Sequence, residues 1–489
     1  MFATVLLLGI CLFFVIMHFK SRRPPNFPPG PTALPFLGNM HHLSPSNPLI
    51  DMEKLRRTYG NVYSLYIGPR AAVVVNGYKA LKEALVTKGV DFAGRPQDMF
   101  VNDVVERRGV VLADYGPAWK EHRRFGLMTM RNFGMGKRSM EQKIMEELQY
   151  TVDFLEKNTG KILSPEVMFH CVASNVVCLV LFGTRYEHDD PFIAKLVNCF
   201  DDVNKTINGP WAFLYDSFHW VRYLPLPFTR AFKARQTVKD MILPIIHEHE
   251  KNRVPGEAQD FVDCYLEELE KRGDDGSSFC PEELFMFCLS LYGAGTDTTS
   301  STLLTGFLYL MTKPHVQERC QQEIERVLEG KDILTFEDRL DMPYVQAVLH
   351  EVQRIANIVP LSVFHATTKD TELTGFSIPK GTLIIPNLSS ALSEEGQWKF
   401  PHEFNPENFL NDNGEFVKPD AFLAFSAGPR LCLGEGLARM ELFLILVTLL
   451  RKFRFIWPED AGEPDYELVF GITVTPKPYN MKVELRAPQ

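Results

Sequence analysis

The chain has no two cysteines at the C-x-x-C spacing of a redox or zinc motif; its nine cysteines, at positions 11, 171, 178, 199, 264, 280, 288, 320 and 432, are scattered singly. That usage fits a reducing compartment and argues against a zinc site built on paired thiols. An excess of positive charge is also missing. Lys and Arg number 52 against 61 Asp and Glu, for a formal charge of −9, so nucleic acid is excluded as an expected partner. No repeat, Gly/Ser linker or low-complexity stretch divides the chain after residue 31, and a length that could hold roughly two to four average domains reads as one large one. A dinucleotide-binding fold is lacking too. The strings Gly293-Ala294-Gly295 and Gly434-Glu435-Gly436 have neither the strand–turn–helix context nor the downstream acid of such a site. Any electrons the chain uses must therefore come from another protein.

Hydrophobic residues are plentiful, 45 % of the chain with 12 % aromatic and 37 phenylalanines, enough for a sizeable core and for apolar cavities. Phe2 to Phe19 carries no Asp, Glu, Lys or Arg and is followed by Lys20, Arg22 and Arg23. Its length is at the lower end of what spans a bilayer, and the basic flank on its C-terminal side predicts a cytosolic body. A cleaved signal would show a charged start, a shorter apolar core and a small-residue cleavage site, none of which is clear here. Pro24-Pro25-Asn26-Phe27-Pro28-Pro29-Gly30-Pro31 comes next and predicts a stiff, extended spacer. The expected organisation is a membrane anchor at 1–20, a basic, proline-rich hinge at 21–31 and a single large domain at 32–489.

Within that domain, Val62 to Gly68 and Ala71 to Asn76 read as strands around a Gly-Pro-Arg turn, followed by an amphipathic helix from Tyr78 to Lys88. Helical periodicity dominates from Tyr115 to Leu328, and β-branched runs return near Leu383 to Ile385 and in the last 25 residues. The expected fold is mainly α with a small β portion. Pro281 to Lys313 reads as the most distinctive helix, opened by Pro281 with Glu282 and Glu283 and closed by Pro314. At about 1.5 Å per residue it spans roughly 50 Å, enough to cross the domain. Its middle, Gly293-Ala294-Gly295-Thr296-Asp297-Thr298-Thr299-Ser300-Ser301, is poor helix material and predicts a functional kink.

Cys432 lies in Phe425-Ser426-Ala427-Gly428-Pro429-Arg430-Leu431-Cys432-Leu433-Gly434, an F-x-x-G-x-R-x-C-x-G pattern. An axial cysteine must be deprotonated, shielded from bulk water and lightly hydrogen-bonded. Gly428 and Gly434 permit a tight loop in which backbone N–H groups approach the sulfur, Phe425 can cover it, and Arg430 adds positive charge. Leu437 to Lys452 is apolar at helical spacing, so Cys432 falls near a helix N-terminus that favours an anion.

This segment resembles the haem-binding loop of the cytochromes P-450, and further motifs extend the resemblance over nearly the whole chain. Ala294, Gly295, Asp297 and Thr298 match the family's A-G-x-D-T. The match implies that Gly295 leaves room beside the haem for O2, that the Thr298 hydroxyl holds a proton-carrying water, and that Asp297 relays protons. Glu351 and Arg354 match E-x-x-R, a buried pair that in relatives meets a downstream basic residue; here Pro406-Glu407-Asn408-Phe409 supplies Asn408 instead. Arg95, Trp119, Arg123, His365 and Arg430 match residues that hold haem propionates, although Phe364 stands where relatives often have proline. The resemblance implies haem b with a Cys432 thiolate, O2 as co-substrate, and electrons from NADPH through a flavoprotein reductase, with cytochrome b5 as a second donor. Lys120, His122, Arg124, Arg131, Lys137 and Arg138 form a basic cluster suited to such docking. Eight aromatics between Trp211 and Phe232 fit a segment that dips into the membrane. Phe100, Val104, Ala294, Val359, Leu361, Val363 and Ile472 fall where relatives line the pocket, which implies lipophilic substrates placed by shape. The expected function is a monooxygenase of the endoplasmic reticulum membrane, most similar to family-2 microsomal members. A haem-thiolate isomerase or lyase of lipid peroxides, or a non-enzymatic haem sensor, stays open as an alternative.

Overall fold

In the computed structural model, residues 23–132, 138–187, 190–207, 209–273, 276 and 278–486 are described. The expected anchor at 1–20 and the start of the hinge lie outside them. Among the described residues no helix is long and apolar enough to cross a membrane.

Helices form the bulk of the domain. The principal ones are α1 (Pro48–Tyr59), α2 (Pro117–Asn132), α3 (Arg138–Lys157), α4 (Glu166–Phe182), α5 (Pro191–Ile207), α6 (Pro210–Ser217), α7 (Thr229–Asn252), α8 (Phe261–Arg272), α9 (Pro281–Thr312), α10 (Pro314–Leu328), α11 (Pro343–Ala356) and α12 (Glu435–Lys452). A four-stranded sheet pairs β1 (Val62–Ile67) antiparallel with β2 (Arg70–Val75). β2 runs parallel to β4 (Leu383–Pro386), which pairs antiparallel with β3 (His365–Ala366). Near the C-terminus β5 (Phe453–Ile456) pairs with β8 (Met481–Leu485), and β6 (Leu468–Phe470) with β7 (Val474–Pro476). The expected mainly helical architecture with β structure towards both ends is observed.

Apolar surface on every side marks α4 and α9 as central helices. On α4, Phe169, Val172, Val176 and Leu181 are buried, and on α9 Phe285, Phe287, Leu303 and Phe307 are buried in the same core. Their closest approach depends on missing side chains. A Cβ at Gly295 would lie 2.7 Å from Val177 Cγ2 of α4, and one at Gly293 would lie 2.6 Å from Phe200 Cε1 of α5. Gly295 thus admits α4.

The expected kink does not interrupt α9, which is continuous through 293–301. Its hydroxyls bond the helix's own carbonyls without displacing the backbone ladder: Thr298 Oγ1 donates to Ala294 O at 2.6 Å, Thr302 Oγ1 to Thr298 O at 2.7 Å, and Thr305 Oγ1 to Ser301 O at 2.9 Å. The expected helix over 78–88 is also modified, ending at Lys82 and continuing as a π-helical turn, Glu83–Thr87. Such turns redirect a backbone carbonyl, and here the carbonyl of Leu85 comes up against the cysteine loop.

Candidate active site

The cysteine loop is a short turn, Gly428–Arg430, leading into α12. Gly428 has φ +71°, and a Cβ there would stand 1.7 Å from Leu85 O. Glycine is therefore required twice over, by backbone sign and by contact. Cys432 N donates to Phe425 O at 3.0 Å, which ties the two ends of the motif together.

The Cys432 sulfur is open on one side yet hemmed in by protein on the others. Burial pushes its thiol up, the N–H groups of Gly434 and Glu435 and the charge of Arg123 pull it down, and the Glu435 carboxylate pushes it up again. Ala294 is likewise exposed although it sits midway along a buried helix. Both residues present accessible surface inside the body of the domain.

Beside the loop, three guanidiniums and one imidazole converge. Gly94 bridges to Ala366 on β3, with Ala366 N donating to Gly94 O at 2.8 Å, and this brings Arg95 beside His365. Arg95 donates from Nε to Val111 O at 2.9 Å and from Nη1 to Val363 O and Phe364 O at 3.0 and 2.9 Å. Arg430 donates from Nε to Ala93 O at 2.9 Å and from Nη2 to Ala113 O at 2.8 Å. Arg123 Nη2 donates to Leu431 O at 2.5 Å, next to the cysteine. The His365 ring bonds Phe92 O through Nδ1 at 2.7 Å.

Charge in this cradle is unbalanced. Burial, then the charges of Arg430 and Arg123, hold Arg95 well below its ordinary value. Burial pushes Arg430 down to about 9, partly offset by Asp114, and burial with Arg95 depresses His365 strongly. Arg430 Nη1 and His365 Nε2 are buried without a partner. Since buried polar atoms are otherwise paired, a cradle with a spare guanidinium N–H on Arg430, mutually repelling guanidiniums and an unpartnered imidazole nitrogen suits an anion, which would also favour a proton on His365 Nε2. The two carboxylates of a haem would fit this cradle, with the Cys432 sulfur available as a soft ligand for its iron.

The remaining sequence candidates sit as follows. Trp119 is buried and donates Nε1–H to Val110 O at 2.9 Å, so its indole N–H is engaged; its ring lies 4.0 Å from the Arg430 guanidinium and 5.5 Å from that of Arg123. Asp297 receives the Thr473 hydroxyl on its Oδ2. Phe425 lies 5.2 Å under the guanidinium of Arg439. Phe100 and Val104 are fully buried: Phe100 packs edge-on to Tyr215, Phe228 and Phe232 at 5.0, 6.3 and 5.6 Å. Val359, Leu361 and Val363 are half-buried, and Ile472 is exposed. His122 leaves the expected basic cluster, because it is buried and stacked at 4.4 Å on Phe279; Lys120, Arg124 and Arg131 are exposed. Lys137 lies outside the described residues, as does the side chain of Arg138.

Under the cradle, Arg354 grips Glu351 through Nε and Nη2 at 2.7 and 2.8 Å, both residues being buried. The same guanidinium donates to the carbonyls of Leu392, Pro401 and Glu403 at 2.7–2.8 Å. Asn408 Nδ2 reaches both carboxylate oxygens at 3.2 and 3.3 Å, and Asn405 N adds a bond of 2.7 Å. The expected amide stands in the place of the usual basic residue. Asp114, which takes the N–H groups of Arg95 and Tyr115 at 2.9 and 2.8 Å, was missed. Its signal was a lone acid just ahead of the Trp119 helix.

The profile of the Cytochrome P450 family matches residues 28–483. Cytochrome P450 2F3 of Capra hircus is 38 % identical over 488 residues, 99 % of each chain. Cytochrome P450 2J2 of Homo sapiens is 39 % identical over 474 residues, 96 % of this chain and 94 % of the relative, and cytochrome P450 2K4 of Oncorhynchus mykiss is 38 % identical over 489, 98 % and 97 %. With the thiol, the anion cradle and the buried Glu–Arg pair all in place along that match, the chain belongs to the cytochrome P450 family, and the relatives it resembles are members of family 2.

Proposed function

We propose that this haem-thiolate protein is a monooxygenase that inserts one oxygen atom of O2 into a C–H bond or double bond of lipophilic substrates, with electrons from NADPH delivered by a flavoprotein reductase. The observation that carries the reading is the pairing of an accessible, N–H-bracketed Cys432 with a cationic cradle whose Arg430 Nη1 and His365 Nε2 lack partners. Haem b, when bound, supplies the oxygen-activating chemistry. The chain's residues hold it and manage protons. Cys432 ligates the iron, and Gly434 N–H, Glu435 N–H and the Arg123 charge favour its thiolate. Arg95, Arg123 and Arg430 would receive the propionates, joined by His365 once a carboxylate beside it favours a proton on Nε2. Thr298 spends its proton on Ala294 O, which leaves its oxygen lone pairs to accept from a water that carries protons inward. Asp297, oriented by Thr473, is the neighbouring acid in that relay.

Substrates of apolar character match the accessible surfaces of Ala294, Leu361, Val363 and Ile472. Support for residence at the endoplasmic reticulum membrane, catalytic domain on the cytosolic side, comes from the anchor pattern and from an exposed apolar rim. Trp220 and Tyr223 are 65 and 89 % exposed, and Phe218 lies 6.1 Å from Phe36, beside the exposed Leu34 and Leu37. Interfacial aromatics of this kind sit at headgroup depth. The exposed Lys120, Arg124 and Arg131 suit an acidic electron donor, the reductase first and cytochrome b5 second.

Reconstitution with NADPH, the reductase and a panel of lipophilic compounds tests the proposal. Haem spin-state shifts and oxygenated products are expected, with turnover lost in Thr298→Ala while haem is retained. Product formation independent of NADPH and reductase would overturn it.

A further inference from the structure

One guanidinium connects the cysteine loop to the helix that carries the buried Glu–Arg pair. Arg439, one turn into α12, donates from Nε to Glu435 Oε1 at 2.9 Å, and its Nη2 lies 2.8 Å from the same oxygen. Its Nη1 meets His350 Nε2 on α11, and it covers the Phe425 ring at 5.2 Å. Phe425 in turn accepts the Cys432 N–H.

His350 adds no charge of its own. Its ring is bonded through Nδ1 to Gln346 O at 2.7 Å, so Nδ1 holds the hydrogen and Nε2 is left as an acceptor for Arg439. Burial, then the Arg439 charge, pushes this imidazole down to about 3. Phe409, Phe416 and Phe422 surround it at 5.5, 4.5 and 5.3 Å. It is a neutral, rigid socket. Glu435, the first residue of α12, follows Cys432 by three positions; its N–H favours a negative sulfur and its carboxylate opposes one.

We propose that Arg439 is a positioning residue that sets the electron donation of Cys432: it neutralises the Glu435 carboxylate beside the thiolate, and His350 fixes the guanidinium where it can do so. The inference rests on the haem-thiolate reading. Without the guanidinium, an uncompensated negative charge next to the sulfur favours the ferric over the ferrous centre, so the reduction potential falls. Glu435 and Arg439 side chains are 25 and 22 % exposed, so the effect is partly screened and weakens with salt.

The test is a spectroelectrochemical titration of the ferric/ferrous couple in the purified full-length haem protein. Four variants are compared with wild type at low salt: Arg439→Gln, Glu435→Gln, the double variant Glu435→Gln/Arg439→Gln, and Arg439→Lys. The potential should move negative in Arg439→Gln, positive in Glu435→Gln, and return towards wild type in the double variant; Arg439→Lys should stay near wild type. A potential unchanged in Arg439→Gln overturns the proposal, and so does a double variant that keeps the negative shift, because loss of the His350 contact would then account for it. Should Arg439→Gln fail to retain haem, Glu435→Gln decides, and no positive shift there sinks the idea. A wild-type reduced carbonyl complex without the red-shifted band of thiolate ligation would refute the haem-thiolate reading itself, before any variant is compared.

Discussion

At residue 428 a single hydrogen atom decides whether the cysteine loop can close. A methyl group there would sit 1.7 Å from Leu85 O on a backbone with φ +71°, and neither fault can relax without moving the π-turn. Gly428→Ala should cost about 2 kcal/mol or more and lower the haem content of the purified protein, read by the haem-to-protein absorbance ratio and the thermal midpoint. Gly434 is the contrast within the same motif. Its φ is −90° and a Cβ added there would meet no protein atom within 4 Å, so Gly434→Ala should leave the stability of the haem-free protein within about 0.5 kcal/mol of wild type, read from its thermal midpoint. Both glycines were legible as a pattern in the sequence, but their unequal need was not, because Leu85 is far from Gly428 along the chain. The Glu351–Arg354 pair shows the same division. Its spacing and its amide partner Asn408 could be read from the sequence; the cage of carbonyls from Leu392, Pro401 and Glu403 could not. Arg354→Ala strands the buried Glu351 carboxylate and should cost about 3–5 kcal/mol, seen as loss of soluble haem protein, whereas Asn408→Ala removes only neutral donors and should cost about 1–2 kcal/mol.

Elements were easier to read than their orientations. Strong periodicity and end signals such as Pro281 and Pro314 gave α9 its length, but which neighbour each small residue admits depends on contacts across the fold. Gly295 packs towards Val177, and the Thr and Ser run bonds carbonyls of its own helix, which is continuous through 293–301. His122, grouped by charge with Lys120 and Arg124, was drawn instead into an aromatic nest. The junction of α7 and α8 offers an element-scale prediction. His249, in the last turn of α7, bonds Asp260 Oδ2 at 2.8 Å and Ile245 O at 2.8 Å, while Asp260 caps α8 by accepting Asp263 N at 2.9 Å. Chiefly through the Asp260 bond, its pKa is raised to about 9. A histidine raised on folding stabilises fully below its unfolded value of about 6.5, and that contribution fades as pH climbs through the folded value. After allowance for solvent, about 1–2 kcal/mol should disappear between roughly pH 6.5 and 9. Thermal midpoints measured across that window should decline in wild type and decline less in His249→Gln; equal slopes would remove His249 from the account.

Across the whole molecule, opposite needs are met on different surfaces of an acidic chain. Net charge is −9, yet Lys120, Arg124 and Arg131 are exposed together on α2, the helix whose Arg123 bonds Leu431 beside the cysteine. A negatively charged donor approaching an acidic protein is repelled except where positive charge is gathered, so this face would both steer the encounter and set the distance for electron entry. Exposed charges of this kind act mainly on association and are screened within about 10 Å at 0.1 M salt. If the proposed flavoprotein reductase docks here, Lys120→Glu/Arg124→Glu/Arg131→Glu should slow reduction by it by about tenfold or more at low ionic strength, with the difference shrinking as salt is added. Reduction by a small chemical reductant and the absorption spectrum of the haem should stay as in wild type, since Arg123, Arg430 and Cys432 are untouched. Equal slowing with the chemical reductant would place the damage in the haem pocket, and an unchanged rate with the reductase would move the docking surface off α2.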